Sequence, residues 1–270
     1  MKRILFAFFA FLAVCASAQT EEQFQASSDT LSSELNELLY ASVENLFIDH
    51  VDSLMEEGMY MQALETIDSL HVNWEKMTGR VPSPLLYMME GQIYMRLEEW
   101  QHLVNTTTEC IYNNKDTMPD NIAALIFSMQ GSGFLNLEDY NNAIRSLEHA
   151  LGHYSKVGDL GGQGDMLCTI ANCYDKLEKH SIALSSYEKG LSKYLQYFNT
   201  TRKQLLQSNL RVHDIYKEAT LGVFAVHLFN MAVHEQDFGD RTTSKEYLLM
   251  SAHCGYRTAI SEYERIYGRN

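Results

Sequence analysis

The chain repeats itself every forty residues. Val51, Gly91, Gly131 and Ala171 are evenly spaced at that interval, and three of the four are Gly or Ala. Three residues after each comes a large side chain: Leu54, Tyr94, Phe134 and Tyr174. Nine after each come Tyr60, Trp100, Tyr140 and His180, and three further on Ala63, Leu103, Ala143 and Ala183. Two more columns follow, Ile67, Thr107, Leu147 and Tyr187, then Leu70, Cys110, Ala150 and Gly190. A unit of this length cannot bury its own apolar face, so successive copies must stack.

The columns describe a helical hairpin. Small residues let two helix backbones approach, and the large residue one turn on fills the space beside them. Short polar turns separate the helices at Glu57-Gly58-Met59, Glu98-Glu99, Glu138-Asp139 and Glu178-Lys179. The second helix then carries apolar residues at three- and four-residue spacing, as in Ala143, Ile144, Leu147, Ala150 and Leu151. Breaks between units fall at Val81-Pro82-Ser83-Pro84, around Pro119, and at Gly158–Asp165, whose Gly161-Gly162-Gln163-Gly164 is expected to be a turn.

This pattern resembles the tetratricopeptide repeat (TPR) family. The best copy runs from Phe127 through Gly131 and Phe134 to Leu137, Tyr140, Ala143, Ile144, Leu147 and Ala150-Leu151. The copy with Ala171, Tyr174, Ile182-Ala183 and Tyr187 matches nearly as well. Val51 and Leu103 depart from the family's small residues, and the forty-residue period exceeds its usual length of about 34. The resemblance implies an all-α fold, a right-handed superhelical α-solenoid of stacked helical hairpins with C-terminal capping helices. Four repeats are assigned to residues 44–195, with an N-terminal flank and capping helix over 19–43. Residues 196–270 form a degenerate repeat or capping helices, because the register next demands a small residue at Arg211. Helices are expected there around Arg202–Glu218, Leu221–Glu235 and Ser244–Tyr267.

Residues 1–18 have the form of an export signal. Lys2 and Arg3 precede the apolar run Ile4–Val14, and Ala16-Ser17-Ala18 offers a cleavage site before Gln19. Val14 before Cys15 argues against a lipoprotein signal, and the run is too short to span a bilayer. The expected product is periplasmic or otherwise envelope-associated. Four cysteines remain, Cys110, Cys168, Cys173 and Cys254; Cys168 and Cys173 point in different directions from one helix, so free buried thiols are expected. A formal charge of −14 disfavours nucleic acid and anionic lipid and favours partners with basic patches.

Catalytic motifs are missing from the linear pattern. The glycine cluster is followed by Asp165-Met166 rather than the Lys-Ser/Thr of a phosphate loop, and no nucleophile elbow is present. His149 and His153 stand four apart but lack a third ligand, and His227, His234 and Glu235 are treated alike; no metal or cofactor is assigned. Asn105-Thr-Thr and Asn199-Thr-Thr match a glycosylation acceptor and carry nothing further. In the TPR family the first helix of each hairpin lines the concave wall. The matching residues are Asp52, Met55 and Glu56; Met88, Gln92, Met95 and Arg96; Ser128, Ser132, Leu135 and Asn136; Cys168, Asn172, Asp175 and Lys176. The clamp with which some relatives hold chaperone tails is replaced by residues such as Ile48, Asp52, Met89 and Met129. The expected function is therefore a non-enzymatic scaffold that takes a peptide or partner helix in a methionine- and amide-lined groove. The alternative is a small-ligand sensor with a cavity between the repeats and the aromatic, histidine-bearing segment Val223–His234.

Overall fold

The structure, a computed structural model, describes residues 33–78 and 81–268, with side chains over 44–74 and 81–268. The export signal and most of the N-terminal flank lie outside these residues. Twelve helices and no strand occur among the described residues: α1 (Ser33–Glu56), α2 (Tyr60–Thr78), α3 (Pro84–Arg96), α4 (Trp100–Asn114), α5 (Asp120–Asn136), α6 (Tyr140–Val157), α7 (Leu160–Lys176), α8 (His180–Tyr197), α9 (Arg202–Gln207), α10 (Ile215–Phe238), α11 (Arg241–His253) and α12 (Arg257–Tyr267). The described residues fall into two compact units that divide between Ile93 and Tyr94. In the first, Leu70, Trp74 and Leu86 are buried together, with Phe47 and Ile48 packed against them.

The repeat appears in the backbone as well as in the side chains. Gly58, Glu98, Glu138 and Glu178 all adopt positive φ, at 74°, 58°, 60° and 58°. Each closes its first helix with the same pair of bonds. In one copy Glu138 N–H donates to Leu135 O (3.1 Å) and Asp139 N–H to Phe134 O (2.9 Å); in the next, Glu178 N–H donates to Asp175 O and Lys179 N–H to Tyr174 O. A left-handed residue followed by this six-to-one bond satisfies carbonyls that a helix end leaves orphaned. The Asp139 carboxylate then accepts from Asn142 N–H and starts α6.

Packing explains the small columns. A Cβ on Gly131 would lie 2.6 Å from Leu147 Cγ, and one on Gly190 2.4 Å from Cys168 Sγ. Gly133 makes the same kind of approach to Val104 on α4. Several polar residues in this core bond one another or the backbone: Thr107 Oγ donates to Leu103 O (2.8 Å), while Gln130 donates to Thr108 and accepts from Ser146. The glycine cluster is not a turn. Its residues lie in the first turns of α7, capped by Asp159, and they let α7 approach aromatic rings: a Cβ on Gly162 would meet Tyr154, and one on Gly164 would meet Tyr194.

Beyond Tyr197 the hairpin pattern resumes after an interruption. The small position is Ala232, 21 residues after Arg211. Ser244, Leu248 and Ser251 follow Ala232 at the offsets of the earlier columns, and all three are buried. Ser244 Oγ donates to Ala232 O (2.7 Å) and Ser251 Oγ to Ala225 O (2.6 Å), so α10 and α11 form a further hairpin. The inserted residues carry the short α9, whose Leu205 is buried in the same core. The segment is tied to α11 by Leu210 N–H donating to His253 O and by Arg202 paired with Glu246 at 2.9 Å.

Two helices expected here differ in extent. The stretch Arg202–Glu218 is not continuous, because α9 ends at Gln207 and the Asp214 carboxylate takes the N–H groups of Tyr216 and Lys217, opening a new helix at Ile215. The stretch Ser244–Tyr267 is broken at Gly255, where φ is 90°.

Candidate functional site

The residues expected on the first-helix wall are accessible in almost every copy. In the first unit Asp52, Glu56 and Gln92 are exposed and Met55 and Met88 half-buried, whereas Met89 is core. In the second unit Arg96 and Asn136 are exposed, and Met95, Ser128, Ser132 and Leu135 half-buried. Polar groups on α5 are held in place by their own helix: Ser132 Oγ donates to Ser128 O, and Asn136 Nδ2 to Ser132 O. These first helices therefore expose carboxylates, a guanidinium and amides, with half-buried thioether and leucine surface between them. Met129 and Cys168 turn inward, Cys168 being the residue that faces Gly190.

On α7 the wall is different. Asn172 accepts from the Tyr187 hydroxyl, and only Lys176 is exposed. Asp175 Oδ1 lies 2.8 Å from His234 Nδ1 and 3.3 Å from His180 Nδ1. Phe238 stacks on the His180 ring with centroids 3.6 Å apart, and Tyr187 lies 5.7 Å from the His234 ring. Burial, then the charge of Asp175, pushes the Tyr187 phenol far above its usual value, so it remains a proton donor at neutral pH. Ten residues back along α7, Asp165 meets His227 Nε2 at 2.8 Å. Two histidine–carboxylate pairs thus join α10 to α7. His153, four residues from His149, bonds Asp120 at 2.6 Å and stacks on Phe127.

Residue-by-residue reading missed the contribution of α10. Counted from Ala232, the wall positions are Phe229, Val233, Gln236 and Asp237; Phe229 is half-buried and the others exposed. The recurring column offsets beyond the insertion were the signal. In the segment Val223–His234, which the alternative reading gave to a ligand cavity, Phe224, Leu228 and Met231 lie in the core with Tyr187 and Tyr194. An open cleft of about 410 Å³ lies instead along α8, between Glu188, Leu195, Asn199 and Arg202.

No family model matches the chain, and no curated protein does either. Solved structures are similar to it. The crystal structure of MamA protein superposes with a TM-score of 0.53 at 14% identity, over 84% of this chain and 96% of that one. MamA 41-end from Desulfovibrio magneticus RS-1 gives 0.53 at 13% identity, over 84% and 97%. The apo form of the quorum sensor NprR from B. thuringiensis gives 0.55 at 16% identity, over 98% of this chain and 69% of that one. The fold is TPR-like. At these identities the likeness extends to architecture and not to ligands. Among the described residues no helix is long and apolar enough to cross a membrane.

Proposed function

We propose that the chain is an exported, non-catalytic interaction protein that takes an extended peptide or a partner helix on the first-helix faces of its TPR-like hairpins. One observation carries the reading: the expected wall residues Met95, Ser128, Ser132, Leu135 and Asn136 all keep accessible surface, Leu135 while also packing on the core beneath it. Methionine adapts its shape to varied apolar side chains, and fixed amides and hydroxyls can bond a peptide backbone. Similarity to a quorum sensor and to MamA supports a hairpin stack serving recognition, and the acidic composition selects partners with basic patches. Export rests on the form of residues 1–18.

The test is crosslinking and pulldown in the native cell envelope, with the chain compared to Met88→Ser and to a Met95→Ser/Leu135→Ser double variant. Loss of a captured partner at unchanged helicity and melting temperature supports the wall as the contact. Equal capture by all three proteins refutes it. N-terminal sequencing of the envelope fraction should begin at Gln19, and a chain retaining Met1 in the cytoplasm would overturn the export reading.

A further inference from the structure

The fourth hairpin breaks the repeat at two positions that face one another. Where the other three copies carry Met55, Met95 and Leu135, it carries Asp175; where they carry Tyr60, Trp100 and Tyr140, it carries His180. Ordinary packing is met by apolar and aromatic residues at these positions three times over, so packing does not ask for a carboxylate and an imidazole here. The hairpin that follows adds His234 to the same point. One ligand atom from each of Asp175, His180 and His234 lies within 4.8 Å of the other two.

We propose that Asp175, His180 and His234 form a three-ligand site for a divalent transition-metal ion of the zinc class. Two imidazoles and one carboxylate suit zinc and its neighbours, whereas calcium and magnesium ask for a shell of oxygens. Ligand atoms around a tetrahedral zinc are about 3.3 Å apart, from metal–ligand bonds of about 2.0–2.1 Å. His180 and Asp175 already stand at 3.3 Å, and His234 and Asp175 at 2.8 Å, so small side-chain rotations open the site. His234 is 4% exposed while His180 is 31% and Asp175 20% exposed, which leaves the ion a way in. Phe238 over His180 and Tyr187 beside His234 supply an apolar shell. Three protein ligands leave a fourth position for water or for a side chain of a bound partner. An ion here would link α7, α8 and α10 at one point.

The test uses the full chain stripped with chelator and titrated with cobalt(II), whose visible absorption distinguishes tetrahedral from octahedral coordination, followed by displacement with zinc(II). One ion per chain and an intense tetrahedral spectrum are expected, with zinc raising the melting temperature. His180→Tyr and Asp175→Leu install what the matching columns of other hairpins carry, so they preserve packing. Each should weaken binding by about 100-fold or more at unchanged circular dichroism. His234→Gln should do the same if either of those variants fails to fold, and His149→Ala should bind as the parent does. Absence of saturable binding, a weak octahedral spectrum, or variants that bind as tightly as the parent would overturn the site.

Discussion

Four thiols are sealed into the helix contacts of this chain. Burial pushes Cys110, Cys173 and Cys254 up to about 12 and the fully buried Cys168 well above the ordinary thiol value, so the reactive thiolate is scarce at neutral pH. A thiol reagent should therefore label none of the four in the native chain within minutes and all four in denaturant, as counted by mass spectrometry. Labelling of Cys168 under native conditions would show that α7 and α8 separate readily. The left-handed glutamates invite a change in the other direction. Glu138 holds φ at 60°, a conformation that costs a residue with a Cβ about 1–2 kcal/mol, partly offset by the greater freedom glycine gives the unfolded chain. Glu138→Gly should stabilise the protein by roughly 0.5–1 kcal/mol in urea unfolding, with no change in the helical spectrum.

Helix pairs are where sequence and structure agree most fully. Alternating small and large columns placed the hairpins because close approach leaves no room for a side chain: Gly131 lies under Leu147, and nothing larger fits. Gly131→Ala should accordingly cost about 1–3 kcal/mol. Gly152, in the middle of α6, has no neighbour within 4 Å of a Cβ, and Gly152→Ala should instead add about 0.8–1 kcal/mol. Comparing the two urea midpoints separates packing from helix propensity. The same columns lost their hold where 21 residues enter before Ala232, since a fixed period carries no notice of an insertion. Asp214 and Gly239-Asp240 marked the new helix starts, but such local caps are common outside repeats. The Asp175–His180–His234 cluster was harder to find. His234 lies 54 residues beyond His180, and only the fold of α10 beside α7 brings them together. Its one linear trace was the exchange of Leu135 and Tyr140 for Asp175 and His180 in the next copy.

Across the second unit the core is shared between neighbours. Phe224 of α10 stacks on Tyr194 of α8 at 4.5 Å, within a buried group running from Cys168 to Ala259. Phe224→Ala should cost about 3–5 kcal/mol. Stacked hairpins contact only adjacent hairpins, so the loss should be felt unevenly. Hydrogen exchange is expected to quicken in α7 through α12 while amides of α5 and α6 keep their protection. Uniform quickening would show that these helices unfold as one body. The turns at Gly58, Glu98, Glu138 and Glu178 have a consequence for how such a chain can change over generations. All four share one left-handed conformation, at intervals of forty residues. Unequal crossing-over between any two of them in the gene would join one half-turn to its equivalent and keep the reading frame. The chain can thus gain or lose forty residues in a single recombination event with the backbone turn at the joint unchanged, leaving only the newly paired helices to be refined.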